Sequence, residues 1–185
     1  MDQKKTIKGI TMMLEGLGLD LEDANFIDTP HRIYKGFLHT LGGLKTDIKI
    51  EMDLIFSKKF PTDYEGIVKQ KNIKVYSKCP HHFETIEYTI SFGYIAKEYA
   101  VGLSKITRAI KLLSQRPVMQ ETLTKDIIDT FQYYLKPKGL IVIVSGVHNC
   151  MRVRGVEQEN VDTITSSIKG IFETDKSARE EFLKL

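Results

Sequence analysis

Long apolar runs are missing from this chain of 185 residues: no stretch approaches the roughly 18 apolar residues that a membrane-spanning helix needs. The N-terminal segment MDQKKTIKGITMMLEGLGLDLED also lacks the apolar core of a signal peptide, so the expectation is a soluble, cytoplasmic protein. Only two cysteines are present, Cys79 and Cys150, and in a reducing compartment they read as candidate metal ligands rather than as a disulfide. No basic run reaches five residues, and the net charge is only +3, which fits an anionic small molecule better than nucleic acid. Internal repeats and low-complexity tracts are absent as well, which argues against both a solenoid and a disordered chain.

What remains is a well-mixed globular composition, 42% hydrophobic and 28% charged, enough for one domain with a small appendage. Helical spacing of Ile7, Ile10, Leu14 and Leu17 predicts a helix over residues 4–17. A second helix is expected to begin at Asp28-Thr29-Pro30, with Thr29 as cap and Pro30 at the first helical position, and to end at Gly42-Gly43. Residues 50–56 and 66–76 alternate like strands. In residues 83–95 the alternation is clearest: Ile86, Tyr88, Ile90, Phe92 and Tyr94 fall on one face, Thr85, Glu87, Thr89 and Ser91 on the other. Residues 99–103 read as a short strand. Two helices follow, one capped by Ser104 and one over residues 120–135, separated by Pro117. Strands are expected over 139–144 and 163–172, and a closing helix over 176–183. Helices, strands, two helices and strands again imply an α+β fold with helices on one face of an antiparallel sheet.

Two short segments carry candidate chemistry. In Cys79-Pro80-His81-His82, a thiol and an imidazole stand three residues apart, a spacing that lets a tight turn aim both at one ion, and Pro80 stiffens that turn. In Val147-His148-Asn149-Cys150-Met151, continued extended backbone would put His148 and Cys150 on one side, with Arg152 and Arg154 prolonging the row. Cys79, His82 and Cys150 make three zinc-type ligands. Three protein ligands leave a position for water, as in catalytic zinc sites, and His81 and His148 remain as proton carriers. A structural site of four ligands, completed by either spare histidine, is the alternative at this point.

Ser104-Lys105-Ile106-Thr107-Arg108 opens a helix, and cations in a first turn oppose the helix dipole unless an anion sits there. Phosphate is the natural guest; solvation or pairing with acidic side chains is the other reading. Arg32 and Lys35 are locally no more than a solvated face. Gln120-Glu121 begins the next helix, where Glu suits the dipole and where a carboxylate and an amide would also suit the edge of guanine.

The segments TPHRIYKGF, CPHHF, VGLSKITR, SQRPVMQETLT, VHNCMRVRG and REEFL together resemble the GTP cyclohydrolase I family from Thr29 to the last residue. The resemblance implies the tunnelling fold, with an N-terminal helical region at 1–45 and a catalytic domain at 46–185. It also implies a homo-oligomer, typically a decamer of two stacked pentamers with active sites between subunits. By motif, Cys79, His82 and Cys150 are similar to zinc ligands, and His81 and His148 to catalytic histidines. Ser104, Lys105, Arg108 and Arg154 are similar to ribose and triphosphate contacts, and Lys35 to a lysine lent by a neighbouring subunit. Gln120 and Glu121 resemble guanine readers. The family commonly has C-E-H-H where this chain has Pro80, so a carboxylate beside the site is lost while the metal ligands are untouched.

The implied reaction opens the imidazole ring of GTP, releases formate and yields 7,8-dihydroneopterin triphosphate, a product from which folate, biopterin and deazaguanine routes all start. Two rivals are distinguishable. A divergent tunnelling-fold enzyme would turn over a pterin or deazaguanine without making formate from GTP. A non-catalytic zinc and nucleotide binder would show four protein ligands and no turnover.

Overall fold

The computed structural model describes residues 1–185. Helix α1 (Gln3–Gly16) starts where the Asp2 carboxylate accepts from the Lys5 N–H, and it buries Ile10 and Leu14. Helix α2 (Thr29–Leu41) packs on it, and Tyr34 joins those two side chains in a small separate core. Thr29 does not cap α2: it is the first helical residue, and Asp28 ahead of it holds Arg32 at 3.2 Å instead of a backbone N–H. A 3-10 turn at Gly42–Lys45 follows.

Residues 50–56 are not a strand. They belong to helix α3 (Ile48–Ile55), whose N-terminus is held by the Asp47 carboxylate accepting from the N–H groups of Lys49 and Ile50. Ile48, Met52 and Ile55 share one helical face, and that face packs against the main core, a period the alternating reading missed.

The sheet has four strands, β2 (Ile67–Lys78), β3 (Thr85–Ile95), β5 (Gly139–His148) and β6 (Thr163–Gly170), in that spatial order and antiparallel throughout. A two-residue ribbon pairs β1 (Phe60–Pro61) with β4 (Tyr99–Ala100). Helices α4 (Leu103–Ser114) and α5 (Gln120–Leu135) cover one sheet face, burying Ile106, Ile110, Leu123, Ile127 and Phe131 against Ile86, Tyr88, Ile90 and Phe92. Each such side chain contributes about 2 kcal/mol through removal of its apolar surface from water. This is the expected α+β arrangement, an antiparallel sheet with two helices on one face, as the resemblance implies.

Three further boundaries differ from the sequence reading. Ser104 is not a cap: α4 begins at Leu103, the Lys105 N–H bonds to the Gly102 carbonyl at 2.8 Å, and the Ser104 side chain is exposed. Strand β6 stops at Gly170, whose φ of 64° turns the chain into the single helical turn α7 (Ile171–Thr174). Strand β5 stops at His148, and α6 (Asn149–Arg152) is a helical turn rather than a continuation of the strand. The last helix, α8 (Lys176–Lys184), folds back on the other sheet face, where Phe182 fills the space left by the missing side chain of Gly93. No helix is long and apolar enough to cross a membrane.

Candidate active site

The site forms at one end of the sheet, where the β2–β3 connection, the exit of β5 and the start of α5 meet. Residues 79–83 make a tight turn closed by two backbone bonds, Cys79 N–H to the Glu84 carbonyl at 2.8 Å and Phe83 N–H to the Cys79 carbonyl at 2.9 Å. Phe83 takes a left-handed conformation, φ 59°, and rests edge-on against Phe37 of α2 at 5.6 Å. That reversal brings Nδ1 of His82 to 3.6 Å from Sγ of Cys79.

Cys150 reaches the same point by another route than expected. The backbone does not stay extended past His148: Val153 N–H bonds to the Asn149 carbonyl at 3.0 Å, closing one helical turn. Cys150 therefore arrives from α6, and Arg152 and Arg154 do not continue a strand face. The donor atoms of Cys79, His82 and Cys150 nevertheless lie within 4.8 Å of one another. Cys79 is buried and Cys150 half-buried. Burial pushes the Cys150 thiol up, and the neighbouring Cys79 acts in the same direction, while Arg154 pulls it weakly the other way. Two thiols brought together, with an imidazole beside them, fit a soft divalent cation, which would favour both thiolates at once.

A cavity of about 240 Å³ opens over this cluster, and Pro80, His81, Glu121 and His148 are among its lining residues. His81 is exposed in the turn. Burial holds the imidazole of His148 below its ordinary value, and the Glu121 carboxylate opposes that shift. Glu121 is exposed at the first turn of α5, free to meet donors of a bound molecule. Gln120 is buried, and its amide is fully engaged within the protein, so the pairing of Gln120 with Glu121 as two base readers is not what the geometry displays.

The cationic residues lie elsewhere. Lys105 and Arg108 line a different cavity, of about 340 Å³, together with Glu51, Lys111 and Gln115. They stand in the first half of α4, whereas Cys79 follows Lys78 of β2, which pairs with Pro117 beyond the other end of that helix. Lys35 is exposed on α2 and Ser104 on α4. Of the twelve expected site residues, Cys79, His81, His82, Gln120, Glu121, His148 and Cys150 line one cavity, and Lys105 and Arg108 line another.

Sequence reasoning passed over Tyr88. Its ring is fully buried, sits across the β3–β5 ladder from Gly146, and meets the His148 ring edge-on at 6.1 Å. Burial raises its phenol well above the ordinary range, and Cys79, Glu121 and Cys150 add to the shift. In an alternating strand Tyr88 is one more apolar position, and only the register of β3 with β5 reveals what it touches.

The chain matches the family described as GTP cyclohydrolase I over residues 6–185. It is 35% identical to the GTP cyclohydrolase 1 of Streptococcus mutans serotype c over 185 residues, covering 100% of this chain and 94% of that relative. It is 36% identical to the GTP cyclohydrolase 1 of Geobacillus kaustophilus over 177 residues, covering 95% and 92%. Against that of Clostridium perfringens the identity is 33% over 184 residues, covering 100% and 97%. Similarity of this extent, spanning both the thiol–imidazole cluster and the basic helix start, means that the chain belongs to the GTP cyclohydrolase I family.

Proposed function

We propose that this chain is a zinc-dependent cyclohydrolase that converts GTP and water into formate and 7,8-dihydroneopterin triphosphate, acting in the cytoplasm. The observation that carries the reading is the convergence of Cys79, His82 and Cys150 within 4.8 Å, roofed by a cavity that His81, His148 and Glu121 also line. Cys79, His82 and Cys150 hold the ion, and zinc bound there supplies the Lewis acidity that makes water a nucleophile near neutral pH.

The remaining work falls to side chains. Glu121 accepts hydrogen bonds from the N–H groups at the guanine edge and orients the base. Water adds at carbon 8 of guanine, and His148 or His81 takes the proton that the water gives up and passes it to the ring nitrogen as the imidazole opens to a formamide. A second water releases formate. The ribose ring then opens, the carbonyl shifts along the chain by an Amadori rearrangement assisted by Ser104 and His148, and closure with loss of water completes the pterin.

The triphosphate contacts follow from the separation of the two residue groups. Arg154 comes from the same chain as the metal cluster. Lys105 and Arg108 line a cavity separate from that cluster, and Lys35 stands on an exposed helix face, which supports active sites built between subunits. We assign residues 46–185 to the catalytic domain, residues 1–45 to a helical arm, and the assembly to a homo-oligomer, a decamer on family resemblance.

The test is incubation of the zinc-loaded protein with GTP, followed by assay of formate and of the fluorescent oxidised pterin. Both products are expected, and both are lost in Cys150→Ser. Absence of both from a zinc-loaded protein that still binds GTP would overturn the assignment.

A further inference from the structure

Gln120 is unusually buried for the first residue of a helix: it is 2% exposed, at the N-terminus of α5, with its side chain laid against β5 and β6. Its Nε2 atom lies 3.0 Å from the carbonyl oxygen of Val144, 2.8 Å from that of Thr163 and 3.2 Å from Oγ1 of Thr165. Its Oε1 atom lies 2.8 Å from Nε2 of His148.

The chemistry of these partners allows one orientation of the amide. The carbonyls of Val144 and Thr163 only accept, so the NH2 group must face them. A flipped amide would set Oε1 against the two carbonyl oxygens, three acceptors facing one another with no donor between them. With the amide so fixed, Oε1 faces His148, and it can only accept. A hydrogen bond at that contact therefore requires the proton to sit on Nε2 of His148.

We propose that Gln120 is a positioning residue that holds His148 as the Nε2–H tautomer and leaves Nδ1 as the nitrogen that exchanges protons in the cavity. The amide is itself braced. Thr124 donates from Oγ1 to the Gln120 carbonyl at 2.8 Å and meets Oγ1 of Thr165 at 2.6 Å. Gly146 makes the path possible, since a Cβ there would lie 2.3 Å from Oε1 of Gln120 and 2.9 Å from the Tyr88 ring. Tyr88 then backs the imidazole from below, edge to face. A His whose second nitrogen is held by an acceptor has its tautomer and its ring plane set together, which is what a proton shuttle between water and a ring nitrogen requires.

The tautomer itself depends only on this geometry. Its catalytic consequence rests on the proposed cyclohydrolase reading, and two measurements separate them. The first is solid-state nitrogen NMR of the zinc-loaded protein labelled at its five histidines, with the His148 signals assigned by their loss in His148→Asn. A protonated Nε2 and a bare Nδ1 are expected at a pH where the ring is neutral. A proton on Nδ1 would overturn the inference whether or not GTP is the substrate. The second is the steady-state kinetics of Gln120→Met, a change that keeps the volume and removes the acceptor. Loss of a set tautomer predicts a fall in kcat of about 100-fold, with KM for GTP within about threefold and zinc content unchanged. A rise in KM with kcat preserved would mean that Gln120 reads the base and would overturn the positioning role. If Gln120→Met does not fold, the NMR of the unaltered protein still decides the proposal.

Discussion

Nδ1 of His82 faces Sγ of Cys79 at 3.6 Å across the turn that Pro80 stiffens. That contact is short enough for one ion to replace it and too long to hold the turn by itself as a strong hydrogen bond. His82→Ala is therefore expected to leave the sheet intact and to reduce bound zinc from one per chain to a small fraction. Atomic absorption after dialysis, together with circular dichroism, checks this. Retention of one zinc per chain would show that His82 is not a ligand.

The distance between the basic start of α4 and the metal cluster leads to a prediction about mixed oligomers. Arg108→Ala should raise KM for GTP by about tenfold or more, the loss of one charge-assisted contact, with zinc content unchanged. Arg108→Ala and Cys150→Ser chains unfolded and refolded together should regain formate release above the level of either variant refolded alone, because some sites would then draw intact residues from two chains. Strictly additive activity would place Arg108 and Cys150 of one chain in the same site.

Asp129 accepts from both Lys125 of its own helix and Lys169 of β6, and these two hydrogen bonds hold its carboxyl below the ordinary carboxylate range. The sign follows from linkage. A depressed folded-state value adds stability that is fully present above the unfolded value of about 3.9 and is lost as pH falls through the folded value. Asp129→Asn should thus lower Tm at neutral pH, and the difference from the unaltered protein should close as the pH is taken below 4. Because the carboxylate is 40% exposed, added salt should shrink the difference as well. Thermal melts across pH and ionic strength provide the comparison; a gap that persists in acid would exclude the ion pairs as its cause.

Gly146 has no room for a side chain, since a Cβ there would press on both Gln120 and the Tyr88 ring. Gly146→Ala is expected to cost about 1–3 kcal/mol in overpacking. It should also disturb His148 without touching a metal ligand. Denaturant unfolding measures the first effect and zinc stoichiometry guards the second. Full stability of Gly146→Ala would mean that the amide has an alternative course over β5.

The thiol–imidazole cluster and the two further histidines were legible because their chemistry is local. A thiol and an imidazole three residues apart, and a second such pair after an apolar strand, announce a site in any compact fold. Helix α3 was misread because in eight residues Ile48, Ile50, Met52, Leu54 and Ile55 satisfy both a period of two and a helical face, and only packing of Ile48, Met52 and Ile55 against the core chose between them. The role of Gln120 lay out of reach for a different reason. Its four partners, Val144, His148, Thr163 and Thr165, come from two strands whose alignment is a property of the sheet and not of any one segment.

The helices α1, α2, α4 and α5, the buried face of β3, the two thiol–imidazole segments and the basic start of α4 were thus determined by the sequence alone, since periodicity and donor chemistry act over a few residues. Tertiary structure decided that Cys150 reaches the cluster from a helical turn, that Lys105 and Arg108 line a separate cavity, and that Gln120 turns inward to His148. These depend on strand register and on where backbone carbonyls point, and hydrogen-bond geometry between distant segments settles both.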